Sequence, residues 1–135
     1  RSSAASDVYK RQDKGIVFIF QINDLSGIKM RDEDIVVILS NLLNNAIEAC
    51  EKCSGKKVMK MKLVKEKDNI IISVKNTYDG KLNIKDGEIQ TSKKYEIDEH
   101  GVGIKNIIEV ITKYQGSYAI RNENNEFYFS VILPN

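Results

Sequence analysis

The chain has 135 residues, the size of one ordinary domain, and its 41% hydrophobic and 7% aromatic residues suffice for one packed core. Its 21 Lys+Arg against 19 Asp+Glu leave a formal charge of +2, which argues against the broad field of a nucleic-acid or membrane-surface binder. Apolar runs such as Ile16 to Phe20 fall far short of the roughly 20 residues that cross a bilayer, and no signal peptide opens the sequence, so a soluble domain is expected.

Arg1 to Gln12 have no apolar period and a Ser/Ala-rich start, and they resemble translated vector or adapter sequence. The expected fold therefore excludes residues 1–12 and occupies residues 13–135. Gly15 to Asn23 is a β-branched and aromatic run closed by polar residues, which predicts a strand. From Asp32 to Cys53, residues Ile35, Ile38, Leu39, Leu42, Ala46 and Cys50 recur at spacings of three and four, the stripe of an amphipathic helix. Asp32, Glu33 and Asp34 put negative charge in its first turn, where the helix dipole favours it.

Val58 to Lys65 and Ile70 to Asn76 read as a hairpin across Lys67-Asp68-Asn69. From Thr77 to Glu99 periodicity stops in a polar segment too long for a simple connection, a pattern usually mobile and functional. A second amphipathic helix is predicted from about Gly103 to Tyr114, with Ile104, Ile107, Ile108 and Ile111 on one face and Gly116 as its stop. Two strands follow near Ser117 to Asn122 and Glu126 to Leu133, the second with Phe127, Phe129, Val131 and Leu133 facing inward. Hairpins stand where a doubly wound fold needs crossovers. The expected class is an α/β (α+β) two-layer sandwich, a mixed, mainly antiparallel sheet with helices on one face.

On the first helix Asn41, Asn44, Asn45 and Glu48 form a polar stripe roughly opposite the apolar one. Asparagine is a poor helix former. The stripe is either a solvated face or the wall of a ligand pocket, where a carboxamide oxygen takes a position on Mg²⁺ while phosphates carry the charge. Asn76 shares the parity of Ile70, Ile72 and Val74, so its side chain should point with the apolar face and needs a partner there. A purine edge and the Thr77-Tyr78-Asp79-Gly80 turn are equal candidates.

His100-Gly101-Val102-Gly103 leads into the second helix, and its glycines either let backbone N–H groups approach an anion or simply make the turn. Lys93 and Lys94, beside Thr91 and Ser92, are a solvated cluster or close over phosphates. The Gly-x-x-x-x-Gly-Lys loop is absent, and Asn106 breaks the Gly-x-Gly-x-x-Gly pattern. His100 is the only histidine, which leaves no nucleophilic triad and no good zinc site. Cys50 and Cys53 form a lone C-x-x-C that reads as reduced, partly buried thiols in a cytoplasmic compartment.

Three of these pieces, in order and spacing, resemble the GHKL superfamily of ATP-binding domains with the Bergerat fold. The likeness is nearest to quorum-sensing histidine kinases of the accessory-gene-regulator type. Asn41-Leu42-Leu43-Asn44-Asn45-Ala46-Ile47-Glu48-Ala49 resembles the N-box, and Val74-Lys75-Asn76-Thr77-Tyr78-Asp79-Gly80 the first glycine box. Thr91-Ser92-Lys93-Lys94 with His100-Gly101-Val102-Gly103-Ile104-Lys105-Asn106 resembles the lid and second glycine box. The likeness spans about residues 15 to 134.

The resemblance implies a catalytic domain that binds ATP through Asn41, Asn45, Asn76, Gly80, Lys94, His100, Gly101, Gly103 and Asn106. Asn45 coordinates Mg²⁺, Asn76 holds adenine where most relatives use aspartate, and Lys81 to Glu99 forms the lid. Phe127 stands where many relatives carry a Gly-Thr pair. Hydrolysing relatives carry a glutamate where this chain has Asn41, so the implied chemistry is γ-phosphoryl transfer to a histidine with little hydrolysis.

Implied partners are a histidine-containing dimerisation segment outside this chain and, through the parent protein, a response regulator. Neither nucleic acid nor direct membrane contact is implied. The domain is expected in the cytoplasm, with the parent anchored in the membrane. A catalytically degenerate, nucleotide-gated binding module and an anti-sigma-type serine kinase are the alternatives.

Overall fold

The computed structural model describes residues 5–11, 15–23, 25–79, 89–91 and 102–135. In chain order the elements are β1 (Ala5–Arg11), β2 (Ile16–Ile22), α1 (Asp32–Glu51), β3 (Val58–Glu66), β4 (Asn69–Thr77), β5 (Ile89–Thr91), α2 (Val102–Lys113), β6 (Ser117–Glu123) and β7 (Glu126–Pro134). Among the described residues the strands make one sheet of seven, ordered β1-β2-β3-β4-β7-β6-β5. Only β2 and β3 pair in parallel there, joined by the α1 crossover; the other neighbours are antiparallel. The expected mixed sheet carrying two helices is the fold observed.

The inward face follows strand parity. Ile16 and Phe18 of β2, Met59 to Leu63 at every second residue of β3, Ile70 to Val74 of β4, Tyr118 and Ile120 of β6 and Phe127 to Leu133 of β7 are buried. Against them pack Ile38, Leu42, Ala46 and Cys50 of α1 and Ile104, Ile107 and Ile111 of α2. The apolar stripes read from the sequence are thus the buried stripes. Asn124 and Asn125 close the β6–β7 hairpin with φ of 54° and 60°, the left-handed pair that a two-residue turn needs and asparagine tolerates.

Three readings need correction. Ala5–Arg11, left outside the fold on sequence, pairs antiparallel with β2 from Ala5↔Ile22 to Arg11↔Ile16. A strand added to a sheet edge is held by its main chain, so it needs no apolar period. Within Thr77 to Glu99, Ile89–Thr91 pairs antiparallel with β6, and three residues are too few to show a pattern. The second helix ends at Lys113, and its left-handed residue is Gln115 at φ 58°, not Gly116. Gln115 N–H donates to the Thr112 carbonyl and Gly116 N–H to that of Ile111 at 2.9 Å, the paired bonds of a Schellman motif.

The two helices are tied end to end. Asp34, in the first turn of α1, accepts from the Tyr114 hydroxyl and from Lys113 Nζ at 2.9 Å. The tyrosine hydrogen bond first, and the lysine after it, hold the Asp34 carboxyl below the usual carboxylate range. A depressed native pKa means the unfolded chain binds more protons, so this stabilisation is complete above the unfolded value near 4 and is lost as pH falls through the native value. Asp34→Asn should lower the Tm by a few degrees at pH 7, and the gap to the unaltered protein should close toward pH 3. Thermal melts of both proteins across that range check this.

Candidate functional site

The asparagine stripe of α1 faces the start of α2. A cleft of about 390 Å³ lies between them, lined by Asn41, Asn44, Asn45, Glu48, Glu51 and Gly103. Asn41 and Asn45 are four residues apart, hence on one helix face. Asn41 Nδ2 donates to the Val37 carbonyl at 2.8 Å, which fixes the amide and turns its oxygen to the cleft. A Cβ on Gly103 would stand 3.1 Å from Asn41 Oδ1 and 3.5 Å from Asn45 Oδ1. A side chain here would crowd the two amides, which would have to give by a few tenths of an ångström.

Two amide groups in this region lack partners among the described residues. Asn45 Nδ2 is buried without a hydrogen bond, and so is Asn76 Oδ1. Asn76 is 1% exposed on the inward face of β4, as its parity predicts, and its Nδ2 donates to the Thr77 carbonyl at 3.0 Å. A buried polar atom left unmade costs about 1–3 kcal/mol. One is a donor and the other an acceptor.

Beside Asn76, Phe127 of β7 is 5% exposed, its ring centroid 5.7 Å from that of Tyr78 and 6.3 Å from that of Phe129. Next along the sheet comes Asn122 of β6, which is 7% exposed. Sequence reasoning missed Asn122 as a functional candidate. The signal was present, because Asn122 shares the parity of Tyr118 and Ile120 as Asn76 shares that of Val74.

Asn106 is half-buried, one turn along α2 from Gly103 and on the same face. Gly80, Lys94, His100 and Gly101, with Ser92 and Lys93, lie outside the described residues. The described residues hold no group of three or more His, Cys, Asp or Glu able to chelate a metal. A hard divalent cation in the cleft would meet amide and carboxylate oxygens and would need the rest of its ligands from phosphates and water, a donor set that suits Mg²⁺ arriving with a nucleotide.

Cys50 and Cys53 are free and buried. Burial pushes the Cys50 thiol up to about 11 and raises that of Cys53 too, so both stay protonated at neutral pH and are poor nucleophiles.

The model of the GHKL domain matches residues 30–134. The chain belongs to the GHKL family. That match covers α1 through β7, with the cleft and both orphaned amides inside it. Solved structures similar to this GHKL chain include the nucleotide-free catalytic domain of histidine kinase ThkA, with TM-score 0.65 and 18% identity over 91% of this chain and 82% of that one. ThkA in complex with the response regulator protein TrrA gives TM-score 0.63 and 18% identity over 91% and 35%. The histidine kinase domain of a blue-light activated kinase from Erythrobacter litoralis gives 0.59 and 12% over 75% and 46%. The chain thus spans less than half the length of the last two. No curated protein matches it in sequence. The fold is that of histidine kinase catalytic domains, and no helix among the described residues is long and apolar enough to cross a membrane.

Proposed function

We propose that this GHKL domain binds ATP with Mg²⁺ and passes the γ-phosphoryl to a histidine on a dimerisation segment outside the chain, as the catalytic domain of a two-component sensor histidine kinase. The observation that carries the reading is the approach of Gly103 to Asn41 and Asn45 beside two orphaned buried amides. The site has polar groups set against one another without being satisfied by one another.

On this reading Asn45 works through both ends of its carboxamide. Its Oδ1, on the Gly103 side, meets Mg²⁺, and its Nδ2 donates to a phosphate oxygen. Bound Mg²⁺ would neutralise charge on the phosphates. Asn76 holds adenine by accepting from the exocyclic amine at Oδ1. Because its Nδ2 is engaged by the Thr77 carbonyl, the group left for the base is an acceptor, as the aspartate of most relatives would be.

Gly80, Lys94, His100, Gly101 and Asn106 take the glycine-box and lid roles that the motif resemblance implies. Asn41 has no proton to exchange at neutral pH and is bonded to Val37, so water is not activated and hydrolysis is slow. The solved complex of ThkA with its response regulator supports a response regulator as the downstream partner. The same reading makes this a cytoplasmic domain of a membrane-anchored, quorum-sensing parent.

The test supplies the chain with γ-labelled ATP and the parent's histidine-bearing segment. The expected product is acid-labile label on that histidine, abolished by Asn45→Ala. Acid-stable label on a serine of another protein would replace the reading with the serine-kinase one, and ATP binding without transfer would leave a nucleotide-gated module.

A further inference from the structure

Of the buried polar side chains, Ser73 lies on the outer parity of β4, whereas Asn76 and Asn122 both lie on the inward face. The register sets them in one row, since Asn76 pairs with Phe127 and Phe127 with Asn122. Neighbouring strands stand about 4.8 Å apart, which puts the two asparagines about 10 Å from each other with the phenylalanine between. The row is an aromatic ring with an amide on either side.

A purely structural account of Asn122 is poor. Its backbone already pairs with β7, and the described residues give its side chain no hydrogen bond, so it neither caps the Asn124-Asn125 turn nor ties strands together. An apolar residue continuing Tyr118 and Ile120 would fill the place as well, yet an amide stands at this largely buried, inward position. Asn76, two strands away on the same inward face, is the adenine contact of the reading above.

We propose that Asn122 is a second base-reading residue: a purine seated over Phe127 meets the Asn76 amide at one polar edge and the Asn122 amide at another. The inference rests on the ATP reading of Asn76. An amide offers both a donor and an acceptor, so Asn122 can match a ring nitrogen or an exocyclic group that differs between purines. Asn122 acts on base selectivity and leaves the phosphates to Asn41, Asn45 and Gly103.

The test measures dissociation constants of ATP, GTP and ITP with Mg²⁺ for the chain and for Asn122→Ala and Asn122→Leu, the second packing with Ile120 should the first leave a destabilising gap. Both variants should weaken ATP about tenfold and compress the ATP-to-GTP and ATP-to-ITP ratios, while the Tm holds because the side chain makes no hydrogen bond among the described residues. Folded variants with unchanged affinity and unchanged ratios, in a protein whose ATP binding Asn45→Ala abolishes, would overturn the role of Asn122 and leave the ATP reading standing. No ATP binding by the unaltered chain would overturn both.

Discussion

Gly103→Val should lower affinity for Mg·ATP by at least about 100-fold, on the order of 3 kcal/mol, with little change in Tm. Even the first added carbon would stand 3.1 Å from Asn41 Oδ1 and 3.5 Å from Asn45 Oδ1, and the two further methyl carbons of valine enter the space in which those amides face the start of α2. Helix stability does not oppose the change, because glycine is among the poorest helix formers. The damage is confined to the proposed seat of the phosphates and the cation. Calorimetric titration of the variant beside a melt separates the two effects, and Gly103→Ala should fall between, since a single methyl requires the amides to shift by only tenths of an ångström.

Gly116→Ala should destabilise the fold by about 1–3 kcal/mol, the usual range for overpacking, which for a chain this long is a Tm drop on the order of 5–10 °C. A Cβ at Gly116 would meet the Ile132 carbonyl oxygen and Leu133 Cδ2, each at 2.6 Å. One of these is backbone of β7 and cannot swing aside. The residue also supplies the N–H that closes the α2 cap on Ile111, so the crossing from α2 into β6 has little room to relax. Ligand binding should be spared once the protein is folded, in contrast to Gly103→Val. Differential scanning calorimetry of both variants shows whether the two glycines divide in this way.

The contrast between these glycines marks what a sequence conveys. Period and parity are local properties, so α1, α2, the β3–β4 hairpin, the inward set of β7 and the burial of Asn76 were all legible. Pairing between distant segments is not local. β5 is three residues long and is fixed by main-chain partners on β6, and β1 rests on β2 without any apolar stripe. The end of the second helix near Gly116 was legible, but not that β7 crosses there, because the crowding comes from residues 16 and 17 positions further on.

The parts of the proposed site were legible as an asparagine-rich helix face and a Gly-x-Gly before a helix. Their meeting is a tertiary fact. Each motif alone permits a solvated face or a simple turn, and the fold sets Gly103 against Asn41 and Asn45, with the Asn45 Nδ2 left buried and unpartnered among the described residues. Asn122 was overlooked for a different reason. It sits at the edge of the polar Glu123-Asn124-Asn125 turn, where an asparagine is unremarkable until parity is followed to the last residue of the strand.

Titrating ATP into the chain with and without Mg²⁺, beside Asn45→Ala, tests the nucleotide seat most directly. Binding that strengthens with Mg²⁺ and is weakened at least about tenfold by removal of the Asn45 amide is the expected result. Binding that ignores both the metal and the substitution, or no binding at all, would contradict the assignment of the Asn41–Asn45–Gly103 cleft.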